Sequence, residues 1–313
     1  MNLENLYSFL TVALEGSISK ASKKLHITQP TLSIRLRKLE NELGFTLLDR
    51  NWSGIRLTDE GQYFAYVATQ CVQDLNTAVS YFNQISQTTG SEISQILSEK
   101  RLIIGTEEML VPFLIERVIP EIRRHFPELN CHYISRPLQP MLDLLGNGGM
   151  DVAIFIWQEE GPPVRSYPLA MDRLALFYDA AHYGEIEKDF SNAALFSDVP
   201  FVLCERYAMK IYDKLKLAWQ AMFGQIPERF HLANEMSTLM GMLASGQGYS
   251  IMPALSGILL PQQYPRLRMV PLAETIEIPI HIAFSDSDAY ATVIDYLKQI
   301  LLDDRKFQMP GNI

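Results

Sequence analysis

The sequence of 313 residues predicts a multidomain α+β protein, because successive regions of the chain carry different patterns. Residues 1–58 contain short apolar repeats at helical spacing, separated by only a few polar residues. Residues 59–88 carry one uninterrupted helical repeat, and residues 89–100, with a glycine and several serines, are typical of a hinge. Residues 101–313 alternate short apolar runs with helical stretches, which indicates an α/β domain.

Three short helices are predicted at the start of the chain. Apolar residues recur at helical spacing from Leu6 to Ala13, and Gly16 followed by Ser17 ends that helix and caps the next. The second helix is expected at about residues 19–25, and Thr28 is suited to cap a third. A leucine repeat marks the buried face of the third helix: Leu32, Leu36, Leu39 and Leu43.

The second and third helices are joined by a tight turn, and the third carries cations, which is the pattern of a helix-turn-helix. The face opposite the leucines holds Arg37 and Lys38, which on their own are more typical of a solvated helix face than of a binding surface. It also holds Ile34, which favours contact with a thymine methyl in the major groove. The residues of this region that we expect to contact DNA are Thr28, Gln29, Pro30, Thr31, Ser33, Ile34, Arg37 and Lys38.

A β-hairpin is predicted after Gly44, with its turn at residues 51–54. It forms a wing beside the helix-turn-helix. Arg50 and Arg56 bracket the turn, where they can reach the DNA backbone or the minor groove, and Ser53 lies at its tip.

A long helix is predicted from Thr58 to about Gln87, with Glu60 in its first turn. Its apolar residues are spaced by three or four positions, as in a coiled coil. A helix of this length spans ~43 Å, too far to bury its seam on a domain of sixty residues, so we expect a second copy to cover it. The predicted dimerisation residues are Phe64, Val67, Cys71, Leu75, Ala78, Phe82 and Ile85.

Charge is distributed unevenly along the chain. The net charge is −9, yet residues 1–58 carry eight Lys and Arg against five Asp and Glu. A polyanionic partner responds to charge within about a Debye length, ~8 Å at physiological salt, so the acidic total does not exclude nucleic acid. The charge pattern therefore assigns DNA contact to the N-terminal segment.

Other protein classes are disfavoured by composition. No apolar run is long enough for a membrane span, and residues 1–10 lack the pattern of a signal peptide, so we expect no membrane partner and a cytoplasmic, nucleoid-associated protein. Three cysteines without CxxC spacing argue against a disulfide framework and a zinc site. We expect no metal and no cofactor.

The α/β region is predicted to form open sheets of buried parallel strands, with ligands at the carboxyl ends of the strands. The predicted strands are residues 102–104, 132–134, 152–156, 174–178, 201–203, 249–252 and 280–284. The predicted helices are residues 111–125, 137–145, 208–223, 237–244 and 289–302.

The chain resembles the LysR-type transcriptional regulators. The N-terminal resemblance is carried by the segments 21–33 (ASKKLHITQPTLS), 39–44 (LENELG), 47–50 (LLDR) and 57–61 (LTDEG). The C-terminal resemblance is looser and is carried by 102–105 (LIIG), 149–154 (GMDVAI) and 246–253 (GQGYSIMP). It implies a bacterial ligand-responsive regulator, not an enzyme, that binds an inverted-repeat promoter site. The implied partners are DNA, a small-molecule effector, further copies of the chain as a homodimer and a dimer of dimers, and RNA polymerase.

The resemblance also implies a two-lobed effector domain like the type 2 periplasmic binding proteins. Lobe I would comprise residues 101–166 and 273–313, and lobe II residues 167–272, with the effector between them. The implied effector-binding residues are Thr106, Glu107, Met109, Ser135, Arg136, Pro137, Cys204, Glu205, Glu235 and Met236. Glu107 and Glu108 crowd the position where relatives hold a carboxylate, which favours a cationic effector or none that is small; two solvated carboxylates are the alternative.

Two departures from the family pattern concern DNA contact. Position 34 is often polar or basic in relatives, so Ile34 favours the methyl contact over a hydrogen bond. Ser53 stands where many relatives carry an arginine in the wing, so Arg56 is expected to take over the minor-groove contact.

Two other functions fit parts of the pattern. A solute-binding protein would share the two-lobed fold but would need a signal peptide and would not need the basic N-terminal helices. An enzyme in the cleft would need a nucleophile, a base and an orienting group, which the motifs do not supply. Cys204 is expected to be structural, with a redox role as the alternative.

Overall fold

The computed structural model describes residues 2–51, 54–87, 100–157, 161, 164–205, 211–272, 277–286 and 290–301. The chain forms two compact units, residues 1–99 and residues 100–313. The predicted hinge falls mostly on residues outside the described set. None of the described helices combines the length and the apolar character that a membrane span needs.

The first unit begins with the three predicted helices, α1 (Leu3–Glu15), α2 (Ile18–Lys24) and α3 (Gln29–Leu43). The predicted caps are confirmed: Ser17 accepts a hydrogen bond from the Lys20 amide, and Thr28 accepts one from the Thr31 amide. Gly44 ends α3 in the left-handed conformation at φ 82°, where a side chain would be strained. Leu32, Leu36 and Leu39 are buried against α1 residues such as Phe9.

The turn between α2 and α3 depends on His26, whose φ is 54°. The His26 amide donates to the Lys23 carbonyl, and the Ile27 amide donates to the Ser22 carbonyl. This pair of bonds is a Schellman motif, which satisfies the last carbonyls of α2 and reverses the chain within three residues. The turn thereby sets the start of α3 close to the end of α2.

The predicted wing and long helix are also present. Strands β1 (Leu48–Asn51) and β2 (Gly54–Leu57) pair antiparallel, with Asp49 opposite Arg56. Helix α4 (Asp59–Gln87) follows, and the Thr58 hydroxyl oxygen accepts a hydrogen bond from the Gly61 amide at 2.9 Å. The same hydroxyl donates to the Thr46 carbonyl, so one side chain caps α4 and fixes it to the wing.

The described part of the second unit combines helices of up to twelve residues with two sheets. Its strands are β3 (Leu102–Thr106), β4 (Cys131–Ser135), β5 (Val152–Ile156), β6 (Ser166–Asp179), β7 (Phe201–Cys204), β8 (Phe230–Ala233), β9 (Ser250–Pro253), β10 (Leu267–Pro271) and β11 (Glu277–Phe284). Its α-helices are α5 (Val111–Phe113), α6 (Ile119–His125), α7 (Leu138–Gly146), α8 (Ala180–Tyr183), α9 (Tyr212–Phe223), α10 (Met236–Ala244), α11 (Leu260–Gln263) and α12 (Ala291–Leu301). Short helical turns lie at Glu108–Leu110, Leu114–Val118, Ala193–Phe196 and Ala254–Gly257.

Two lobes share the long strand β6. Its first half, residues 166–173, pairs with β11, which continues through β5 and β3 to β4. Its second half, residues 174–179, pairs with β9 and β10. The partners of β6 therefore change between Arg173 and Leu174, while the lobe boundary at 166/167 stays a prediction.

The strand directions differ from the sequence prediction. The pairs β3–β4, β3–β5 and β7–β8 are parallel as expected, but β11 and β6 pair antiparallel with all their neighbours. The expectation of parallel strands throughout was wrong because it came from short apolar runs alone. Residues 174–178 are continuously buried and show no alternation, whereas β11 as a whole alternates between buried and more exposed residues, as antiparallel strands often do. Strands β8 and β10, which have exposed or half-buried residues, were not predicted.

Candidate DNA interface and effector cleft

The outer face of α3 is the predicted DNA-contacting surface. Ile34 is 64% exposed, and Arg37 and Lys38 are exposed beside it. The remaining predicted residues on this face are also accessible: Thr28, Gln29, Pro30 and Thr31 are exposed, and Ser33 is half-buried. Among the described residues, the ion pairs of this unit use Lys24 and Arg35, while Arg37 and Lys38 form none. Their charge is available to a polyanion.

Two contacts hold α3 and the wing in place. The Arg35 guanidinium donates to the Glu4 carboxylate at 2.8 Å, which fixes α3 to α1. The Glu40 carboxylate accepts hydrogen bonds from the amides of Leu47 and Leu48, which fixes the start of the wing against α3. Arg35 is therefore paired within the unit, on a side of α3 that does not face outward, whereas Arg37 lies on the exposed outer face.

The wing is only partly described. Arg56 is exposed on β2, opposite Asp49. Ser53 lies outside the described residues, as does the side chain of Arg50. The contacts with DNA that are predicted for Ser53 and Arg50 stay predictions.

Helix α4 has a buried and an exposed apolar face. Phe64 packs against Phe9 of its own chain, with ring centroids 5.4 Å apart, and Ala68 and Val72 are buried against Leu6. Val67 and Leu75 are 43% and 42% exposed, and Cys71 and Ala78 are also exposed. The side chains of Phe82 and Ile85 lie outside the described residues. Phe64 thus contributes to the core of its own unit, and the described ones among the predicted dimerisation residues are exposed from Val67 onward.

The end of β3 supplies the first predicted effector-binding residues, and both are turned inward. The Thr106 hydroxyl donates to the Ile154 carbonyl at 3.2 Å. The Glu107 carboxylate is 2% exposed and accepts a hydrogen bond from the Ile156 amide at 2.7 Å. Glu107 is therefore neither solvated nor placed to repel a ligand; it fixes the chain after β3 to β5.

Glu108, the next residue, reaches the other lobe. Its Oε1 accepts a hydrogen bond from the amide of Met236, the first residue of α10, at 2.8 Å. Met109 is buried, and its carbonyl accepts a hydrogen bond from Ser256 Oγ at 3.0 Å. The segments after β3 and β8 thus meet, as the rule for carboxyl ends of strands predicts. We call the region lined by the residues that follow β3, β4, β7 and β8 the inter-lobe cleft.

The other predicted cleft residues lie at the ends of neighbouring parallel strands. Ser135 ends β4 opposite Thr106 and is half-buried, and Arg136 and Pro137 are exposed after it. Cys204 is buried at the end of β7, opposite Ala233 of β8. Glu205 is half-buried, Glu235 is exposed and Met236 is half-buried.

Sequence reasoning missed Asp172, which joins β6 to the turn at Ala254–Gly257. Asp172 is 2% exposed, and its Oδ2 accepts a hydrogen bond from the Leu255 amide at 3.0 Å. Burial raises the pKa of the Asp172 carboxyl to about 6. An isolated aspartate in a strand gives no sequence signal that it will be buried.

A cavity of about 590 Å³ lies in the first lobe and was also not predicted. It lies beside the start of β6 and the helix α12, with Arg165 and Lys298 among its lining residues. The sequence does not reveal it because its walls come from four distant segments. In the described part of the chain, no three His, Cys, Asp or Glu residues are grouped so as to hold a metal ion.

Comparison with known proteins identifies both units. A family model described as "Bacterial regulatory helix-turn-helix protein, lysR family" matches residues 3–62, and one described as "LysR substrate binding domain" matches residues 97–302. The HTH-type transcriptional regulator BenM of Acinetobacter baylyi is 27% identical over 293 residues, which cover 90% of each chain. The DNA-binding transcriptional dual regulator OxyR of Escherichia coli is 23% identical over 256 residues, 82% of this chain and 80% of OxyR.

Solved structures show the same fold. Full-length CbnR, described as a LysR family transcriptional regulator, has a TM-score of 0.52 at 18% identity, covering 96% of this chain and 100% of CbnR. Full-length BenM has a TM-score of 0.50 at 24% identity, covering 99% and 100%. CbnR with its target DNA has a TM-score of 0.51 at 18% identity, covering 96% and 100%.

The relatives are transcriptional regulators rather than enzymes, and the two family models match most of this chain. The chain therefore belongs to the LysR family of DNA-binding, ligand-responsive transcriptional regulators.

Proposed function

We propose that this regulator binds an inverted-repeat promoter site with the outer face of α3 in the major groove and the wing on the backbone. The observation that carries the proposal is the exposure of Ile34 between polar residues and the exposed cations Arg37 and Lys38. An exposed apolar side chain is poorly solvated by water but can make an apolar contact with a thymine methyl group. The cations can form ion pairs with DNA phosphates. The complex of CbnR with its target DNA supports this use of the fold.

A double substitution tests the proposal. Arg37→Ala with Lys38→Ala removes two phosphate contacts per protomer, so affinity should fall for all sequences. The slope of log K against log salt should fall by about two per protomer. Fluorescence anisotropy with a promoter fragment at several salt concentrations measures both quantities.

The matched control is Arg123→Ala with Arg124→Ala, which removes two exposed cations from α6 in the other unit. The control should keep wild-type affinity and slope. Equal effects in the two double variants would mean that net charge, not the α3 face, governs binding.

We infer that the chain acts as a homodimer through the exposed apolar residues of α4, and as a dimer of dimers through the effector unit. In that unit Leu217 of α9 and Leu232 of the edge strand β8 are 62% and 61% exposed. Leu232→Lys should yield dimers in sedimentation velocity where the wild type forms tetramers, and His231→Lys on the same strand is the control. A tetrameric Leu232 variant would contradict this role of β8.

We also propose that a small molecule binds in the inter-lobe cleft and alters the action of the DNA-bound protein on RNA polymerase in the cytoplasm. The meeting of the segments after β3 and β8 supports this location. A thermal-shift screen of amino acids, amines and organic acids, followed by Ser135→Ala, tests it. The shift should be lost in Ser135→Ala and kept in Arg165→Ala, which alters the separate cavity; the opposite result would move the site to that cavity.

A further inference from the structure

The helix α10 is capped by a residue from the other lobe. A helix begins with amides that lack partners inside the helix, and the N-cap side chain usually accepts from one of them. Glu235 is the N-cap of α10, but its side chain makes no capping hydrogen bond; it accepts instead from the Ser237 hydroxyl at 3.4 Å. Glu108, 128 residues earlier in the chain, accepts from the Met236 amide at 2.8 Å.

The position of Glu108 is set by its neighbours. Glu107 is fixed to the Ile156 amide, and the Met109 carbonyl is fixed to Ser256 Oγ. The turn at Glu108–Leu110 is therefore held on both sides, and the half-buried Glu108 side chain extends from it to α10. A carboxylate at this point has a charge-assisted hydrogen bond and faces the positive end of the helix dipole.

We propose that Glu108 is an internal ligand of the inter-lobe cleft: its carboxylate occupies the N terminus of α10 and links the segment after β3 to that helix. An anionic group can bind to these amides only after Glu108 withdraws, so an anionic effector would act by displacing it. The second tie, between Met109 and Ser256, carries no net charge and does not respond to an anion. This inference rests on the proposed effector cleft and names how that site is regulated.

The proposal replaces the expectation that Glu107 and Glu108 together repel anions. Glu107 is buried against β5 and takes no part. The Glu108 carboxylate occupies the position at the N terminus of α10 where an anion would bind. The cleft therefore disfavours anions only while the hydrogen bond between Glu108 and the Met236 amide is intact.

The experiment is a chemical rescue on the full-length chain. Glu108→Ala removes the carboxylate, and hydrogen exchange at the Met236 amide, followed by mass spectrometry, should accelerate about tenfold because a charge-assisted bond is lost. Acetate in the millimolar range should then bind the vacated amides, slow this exchange and raise the melting temperature. Wild-type protein should show no such change, with chloride at equal ionic strength as the reference.

Two further variants keep the outcome decisive. Glu108→Gln retains an uncharged acceptor of the same size, so exchange at Met236 should lie between wild type and Glu108→Ala even if the alanine variant folds poorly. Glu235→Ala removes the exposed carboxylate that precedes Met236, and it should keep wild-type exchange and show no response to acetate.

Wild-type exchange at Met236 in both Glu108 variants would overturn the proposal. An equal response to acetate in Glu108→Ala and Glu235→Ala would also overturn it, because acetate would then act elsewhere. These readings need neither DNA nor the natural effector, so a failure of the proposed effector site would show separately, as the absence of any hit in the thermal-shift screen.

Discussion

Ile34 illustrates how one residue defines the chemistry of the DNA-facing surface. It occupies a position on α3 where the leucine repeat leaves the helix exposed, and it is 64% exposed. Apolar contact with a thymine methyl discriminates bases by shape and apolar area rather than by hydrogen bonding. The residue should therefore affect specificity more than general affinity.

Ile34→Ala should weaken binding to the cognate site more than to the same site with the facing thymine replaced by uracil. The reason is that uracil lacks the methyl group that Ile34 would contact. Competition anisotropy on the two duplexes gives the comparison. Equal losses on both duplexes would exclude the methyl contact.

Asp172 is a residue whose charge is costly to the fold. The pKa of its carboxyl is raised from 3.8 to about 6 by burial, so the folded state binds the proton more tightly than the unfolded state. The contribution of Asp172 to stability accordingly falls as pH rises from about 4 to about 6 and stays low above that. The full cost is about 3 kcal/mol, since one pKa unit corresponds to ~1.36 kcal/mol.

Asp172→Asn should therefore raise the melting temperature at pH 8, because the amide oxygen can still accept from the Leu255 amide while the buried charge is removed. The gain should shrink at pH 5, where wild-type Asp172 is largely protonated in the fold. Thermal unfolding at both pH values measures this, with the exposed Asp213→Asn as control. A pH-independent gain would show that the charge is not the cause.

At the scale of elements, α4 has one apolar face that packs within its own chain and further apolar residues that are exposed. One face of the helix is buried on α1 of its own chain through Ala68 and Val72. The adjacent face exposes Val67 and Leu75 together with Val79, which is 59% exposed. In a monomer this apolar area would stay in contact with water. Its burial against a second copy would be favourable by ~25 cal/mol per Å² of apolar surface.

Leu75→Lys should produce monomers, because it places a charge in the centre of the apolar face. Gln73→Lys adds the same charge on the opposite side of α4 and should leave the dimer intact. Sedimentation velocity at several protein concentrations distinguishes the two. A dimeric Leu75 variant would show that self-association uses another surface.

At the scale of the whole molecule, charge is divided between the two units. The net charge of −9 arises after residue 58, while the DNA-facing segment keeps a small positive surplus. A surplus this small predicts weak, salt-sensitive binding by one copy. We therefore expect useful affinity to require two copies joined through α4, because the second contact would then become intramolecular.

The wild type should accordingly bind an inverted repeat at least ~100-fold more tightly than a single half-site, within the range that linked modules reach. The half-site is taken from the promoter segment that the protein protects from cleavage. Leu75→Lys should reduce this ratio towards one, whereas Gln73→Lys should keep it. An unchanged ratio in the Leu75 variant would separate dimerisation through α4 from DNA affinity.

Much of the first unit was predictable from the sequence because its signals are local. The cap Ser17, the cap Thr28 and the C-terminal Gly44 act within a few residues of themselves, and the structure confirms them. The leucine spacing in α3 likewise reports its buried face directly. The left-handed His26 has no comparable signal, because a residue other than glycine rarely adopts that conformation and histidine is usually found outside it.

The second unit was less predictable because its contacts join distant segments. Strand positions followed from apolar runs, but strand direction did not, since a short run such as residues 174–178 is continuously buried and shows no alternation. The sequence alone determined that a helix-turn-helix with a cationic outer face precedes a two-lobed α/β unit, because periodicity, caps and family motifs are properties of short segments. Only the tertiary structure decided that Glu107 is buried and that Glu108 caps α10, since two adjacent carboxylates are equivalent until residues 128 positions away fold against one of them.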